Sequence, residues 1–137
     1  MKNKTRKIKT LEHRADFKIK VFGKTRRKLF LNALIGMNEF FGAQVFKKKT
    51  KRKIRIESLD EESLLVDFLN EIIYLMQTNM ETYDSVKFKQ ITRKRIEAEI
   101  FGHKVSSFDK EVKAATYHGL DIEKTETGFE TIVLLDV

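Results

Sequence analysis

Phe17, Ile19 and Val21 alternate with Lys18, Lys20 and Phe22 between Asp16 and Gly23, the period-two pattern of a strand with one buried face. A shorter strand over residues 7–11 is expected before it. The period then changes. Leu29, Phe30, Ala33, Leu34, Met37, Phe40 and Phe41 gather within about 140° of a helical wheel, with Leu31 and Ile35 outside that arc. Thr25 is placed to cap this helix and Gly42 to stop it. A second strand region spans residues 45–59, where Ile54 and Ile56 alternate with Arg55 and Glu57. Ser58-Leu59-Asp60-Glu61 has the form of a capping box. The helix it would open carries Leu64, Leu65, Val66, Phe68, Leu69, Ile72, Ile73, Leu75 and Met76, spread over about 200° of the wheel. A helix apolar around more than half its circumference must be covered on more than one side.

After Thr78 the pattern is strand-like again. Val86-Lys87-Phe88 and residues 96–100 alternate, and residues 112–122 and 129–135 are two further candidate strands, with Glu126-Thr127-Gly128 turning the chain between them. Strands and helices do not interleave regularly, which disfavours a doubly wound parallel sheet. The expected fold is α+β: two main helices packed against or between largely antiparallel sheet layers, in a single domain over residues 1–137. Residues 1–6 are expected to be flexible.

Charge changes this picture more than composition does. Residues 1–55 hold 19 Lys and Arg against 3 Asp and Glu, whereas residues 56–137 hold 9 against 17. The densest stretch, Lys47-Lys48-Lys49-Thr50-Lys51-Arg52-Lys53, places six cations in seven positions. Such a run attracts phosphates or an acidic partner. Its plainer reading is a solvated basic loop at 47–53, and no aromatic interleaves it to stack a base. The chain has no cysteine, which excludes a disulfide framework, a thiol nucleophile and a thiolate metal site. It carries no Gly-rich phosphate loop, dinucleotide fingerprint, zinc-type histidine spacing or nucleophile elbow. No apolar run is long enough to span a membrane, and a chain without cysteine or an export signal is expected in the cytoplasm.

Two carboxylates stand at strand ends. Asp16 opens the first clear strand, and Asp136 follows Ile132-Val133-Leu134-Leu135 with only Val137 after it. If those ends meet, two side-chain carboxylates and the α-carboxylate of Val137 converge, an oxygen cluster of the kind hard cations favour. Taken singly, each Asp is an ordinary solvated strand-end residue. Lys113 and His118, in Val112-Lys113-Ala114-Ala115-Thr116-Tyr117-His118, are by themselves a solvated cation and an ordinary histidine.

In order along the chain, Glu12-His13-Arg14-Ala15-Asp16, Phe22-Gly23-Lys24-Thr25, the stretch from Leu64-Leu65 to Leu69-Asn70-Glu71 and Tyr74, the segment Val112 to His118, and Leu134-Leu135-Asp136-Val137 resemble the archease family. Arg14 stands where the family usually has Thr. The resemblance implies an accessory protein of an RtcB-type tRNA-splicing RNA ligase. Such a protein promotes guanylylation of the ligase histidine and multiple turnover, and is not itself catalytic. It implies a divalent cation, calcium by family usage, held by Asp16, Asp136 and Val137. Lys113 matches a position tied to activity, with His13 and His118 as weaker candidates. GTP would be bound by the ligase rather than by this chain, and tRNA is a candidate third member of the complex. Two other readings stay open at this stage: a small basic RNA-binding module without a ligase partner, and a stand-alone metal-dependent phosphoesterase.

Overall fold

A computed structural model describes residues 16–117 and 119–137, with Asp16 described by its backbone alone. The expected strand at 7–11, the stretch 1–6, His13 and His118 lie outside the described residues. Among the described residues nine elements follow in order: β1 (Asp16–Gly23), α1 (Arg26–Phe41), β2 (Ala43–Glu57), α2 (Glu61–Asn79), β3 (Glu81–Ile91), β4 (Arg95–Phe108), β5 (Ala114–Thr116), β6 (Glu123–Thr125) and β7 (Gly128–Asp136). The fold is α+β. One sheet has the order β1-β7-β5, with β6 also paired to β7; the other has the order β2-β4-β3. Every pairing described is antiparallel.

Both helices touch strands of both sheets: α1 meets β1, β7 and β3, and α2 meets β5, β2, β3 and β4. This arrangement accounts for their wide apolar arcs. On α1, Leu29, Phe30, Ala33, Leu34, Met37 and Phe41 are buried, and on α2 Leu64, Leu65, Val66, Phe68, Leu69, Ile72, Ile73 and Met76 are buried. They join Val21, Ile96, Ile100, Val133 and Leu135 in one core cluster. Removing these side chains from water is the main driving force that fixes the layers. Arg26 and Glu61 form an ion pair that links the first turns of the two helices. Asn32 on α1 donates from Nδ2 to the Phe22 carbonyl of β1 at 2.7 Å.

The ends of α1 form as its sequence predicts. Thr25 accepts from the Lys28 amide, and Gly42 stops the helix at φ 61°, a left-handed value that favours glycine. The start of α2 differs from expectation. Its cap is Asp60, whose Oδ1 accepts from the Ser63 amide at 2.7 Å, and not Ser58. The Ser58 hydroxyl is engaged elsewhere, donating to Asp67 Oδ2 at 2.6 Å. The Ser63 amide holds the Asp60 carboxyl below its ordinary range, as a carboxylate at a helix N-terminus should be held.

Two further expectations are corrected. The basic run 47–53 is not a loop but part of the fifteen-residue strand β2. A register irregularity between Val45 and Lys49 absorbs its first cations. Beyond it, Lys51, Lys53 and Arg55 face outward while Arg52 and Ile54 turn inward. The strand tolerates this charge because β4 sets acids opposite it, Glu99 across from Lys53 and Glu97 across from Arg55. Nor do residues 112–122 form one strand. Among its described residues only Ala114–Thr116 is paired in a strand, and the next strand begins at Glu123.

Candidate functional site

Three segments meet at one end of the β1-β7-β5 sheet. The last residue of β7, Asp136, lies opposite Asp16 of β1 on one side and opposite Ala114 of β5 on the other. The Lys113 amide donates to the Asp136 carbonyl at 2.8 Å. The structure therefore brings the backbone of Asp16, Asp136, Val137 and Lys113 to one sheet end. The Lys113 side chain is exposed and that of Asp136 half-buried, while Val137 packs against the core. The Asp16 side chain, His13 and His118 are not described. Among the described residues, no three His, Cys, Asp or Glu side chains gather as a metal cluster.

A three-residue strand such as β5 is too short to fix itself. Helix α2 supplies what the strand lacks. Asn70 makes a two-way clamp on Ala115: its Oδ1 accepts from the Ala115 amide at 2.7 Å and its Nδ2 donates to the Ala115 carbonyl at 3.1 Å. A side-chain amide thus takes the place of a neighbouring strand. Gln77 Nε2 donates to the Val112 carbonyl at 2.9 Å, and the Tyr117 hydroxyl donates to Asp67 Oδ1. Val112 and Ala115 are themselves buried. At 100° per residue, Asp67, Asn70 and Gln77 fall within about 80° of one another, so one flank of α2 holds the whole segment 112–117. Sequence reasoning assigned none of these three a role. The available signal was their position just outside the apolar arc of α2.

The Asp67 carboxylate, together with partial burial, pushes the Tyr117 hydroxyl up to about 12. A tyrosine so held stays protonated at pH 11, whereas in Asp67→Asn it should ionise there, near its ordinary value of about 10. Ultraviolet difference spectra against Tyr117→Phe measure this directly. Ionisation at the same pH in both proteins would show that Asp67 does not hold the hydroxyl.

The Archease protein family model matches residues 9–137. This chain belongs to the archease family. It is 33% identical over 146 residues to the archease of Methanosarcina barkeri, with all of both chains covered. It is 32% identical to the archease of Pyrococcus furiosus, over 85% of this chain and 88% of that one. Its fold is similar to the crystal structure of an archease from Thermotoga maritima, described as a possible chaperone. The TM-score is 0.71 at 21% identity, covering 91% of this chain and 93% of the other. It is also similar to the solution structure of a protein from Methanobacterium thermoautotrophicum, with a TM-score of 0.65 at 22% identity over 90% and 93% of the two chains. Among the described residues no helix is long and apolar enough to cross a membrane.

Proposed function

We propose that this archease is an accessory protein of an RtcB-type tRNA-splicing ligase, acting through the sheet end that carries Asp16, Asp136, Val137 and Lys113. The observation that carries the reading is the register of β7, which sets Asp136 between Asp16 and the segment beginning at Lys113. The proposed donor set is all oxygen: the side-chain carboxylates of Asp136 and Asp16 and a main-chain oxygen of Val137. That chemistry fits a hard divalent cation of the calcium type and not zinc. A cation held there would supply fixed positive charge of the kind that favours phosphoryl transfer.

The chain's own residues do the positioning. Asn70 and Gln77 fix the backbone on both sides of Lys113, and the Lys113 amide fixes the strand end at Asp136. The exposed Lys113 ammonium is then presented at a defined place, where it can meet phosphate oxygens in the ligase's active site. In this arrangement the nucleotide and the nucleophilic histidine belong to the ligase, and the accessory chain contributes charge and geometry.

The test is multiple-turnover RNA ligation by the partner ligase, with and without this protein. Asp16→Ala and Asp136→Ala should each reduce stimulation to the level of the ligase alone, while thermal unfolding confirms that the variants fold. Calorimetric titration with calcium should show binding that both variants lose. Undiminished stimulation by the two variants would remove the assignment.

A further inference from the structure

The β2-β4-β3 sheet carries a second charged surface, separate from the β1-β7-β5 sheet end. Its outer face has three rows. On β2 stand Lys49, Lys51, Lys53 and Arg55, all exposed; on β3 stand Lys87 and Lys89, also exposed. Between them β4 presents Glu97 and Glu99, then Phe101, which lies opposite Lys51 on one side and Ser85 on the other. A groove of about 610 Å3 runs over this face, lined by Lys53, Arg55, Lys87, Lys89, Glu97 and Glu99. Glu99 and Glu97 reach Lys51 at 3.9 Å and Arg55 at 3.4 Å. Lys49, Lys53, Lys87 and Lys89 enter no ion pair among the described residues. Asp84 stands at the β3 bulge beside Ser85.

We infer that this face is a docking surface for a single RNA strand, its phosphates tracking the β2 row and its sugars turned toward Glu97 and Glu99. Same-face residues on a strand recur about every 7 Å, a step comparable with the separation of successive phosphates on an extended strand. The β2 row therefore offers a ladder of cations in register with a polyanion. The carboxylates in the floor would repel phosphates but accept hydrogen bonds from ribose 2′-hydroxyls, which DNA lacks. Phe101, half-buried, follows Glu97 and Glu99 in the same alternation of β4, opposite Lys51, and is the aromatic on this face that a base would stack on. An acidic protein or an anionic bilayer fits less well, because either would press negative charge onto the Glu97–Glu99 floor. Val45 and Phe46, each 54% exposed, lie at the far end of β2 and make the bilayer a necessary comparison.

The experiment is fluorescence anisotropy on the full chain, without ligase, using a short labelled oligouridine. Saturable binding should weaken with salt, with a slope that falls by about 0.7 for each phosphate contact removed. Lys53→Glu/Lys87→Glu should raise the apparent Kd about tenfold or more. Lys53→Gln/Lys87→Gln, which introduces no repulsion, should show the same direction with an unchanged Tm. Oligodeoxyuridine of equal length should bind more weakly than the RNA. The inference is overturned by any of three results: no saturable RNA binding at low salt, equal binding of the DNA, or wild-type affinity in both double variants. Capture by phosphatidylserine vesicles or polyglutamate in place of RNA would also overturn it.

Discussion

Glu81→Gln is expected to destabilise the protein by about 2–3 kcal/mol at neutral pH. Glu81 is 1% exposed, and its carboxylate takes two hydrogen bonds from the Arg52 guanidinium, at 2.9 and 2.8 Å. The Tyr83 hydroxyl donates to it at 2.5 Å, and Lys104 Nζ lies 3.5 Å away. Glutamine keeps the shape but removes the charge that two cations and a buried phenol have been arranged around. Loss of one member of a buried pair can cost more than this; the Arg52 side chain is 38% exposed, so water softens the penalty. The Arg52 hydrogen bonds hold the Glu81 carboxyl below its ordinary range, while burial opposes them and Tyr83 and Lys104 assist. Burial and the adjacent carboxylate push the Tyr83 hydroxyl far up. A carboxyl whose folded pKa is depressed contributes stability that is fully present above its unfolded value of about 4.3 and is lost as pH falls through the folded value. Urea denaturation should therefore show the gap between wild type and Glu81→Gln closing below about pH 4. A gap that stays constant down to pH 2 would mean that the charge is not what stabilises.

Asn70→Ala should cost about 2–4 kcal/mol, because it strips partners from both the amide and the carbonyl of the buried Ala115 at once. Asn70→Asp separates this account from simple loss of packing. It keeps an acceptor for the Ala115 amide but sets a second oxygen against the Ala115 carbonyl, so it should be no better than alanine. Amide hydrogen exchange at Ala115 should accelerate far more than exchange in β4 or α1. Under the proposed accessory role, the same variants should also stimulate the ligase less than their folded fraction predicts, since the backbone holding Lys113 has come loose. Unchanged exchange at Ala115 would contradict the clamp.

The apolar pattern made the two helices legible to within a residue at most ends, because their arcs report covering on several sides and Thr25 and Gly42 mark one of them. The β7 strand was equally plain, and with it the position of Asp136 at its last residue. Harder cases were those decided by distant partners. The basic run reads as solvated because its neutralising groups, Glu97, Glu99 and Glu81, lie far along the chain and meet it only through strand pairing. The 112–122 stretch looked like one strand from its apolar residues, yet much of its backbone is held by helix side chains and not by a ladder. Asp67, Asn70 and Gln77 occupy the polar side of α2, where periodicity alone assigns them to solvent. Backbone hydrogen bonding by side chains leaves no periodic trace.

The two outer strands of the β1-β7-β5 path share a feature. Each is met by an asparagine from a helix, β1 through Asn32 on the Phe22 carbonyl and β5 through Asn70 on Ala115. An open sheet margin is an invitation to a second polypeptide, which can add itself by ordinary strand hydrogen bonding. With helix amides seated there, a stray chain finds the Phe22 carbonyl and both main-chain groups of Ala115 already taken.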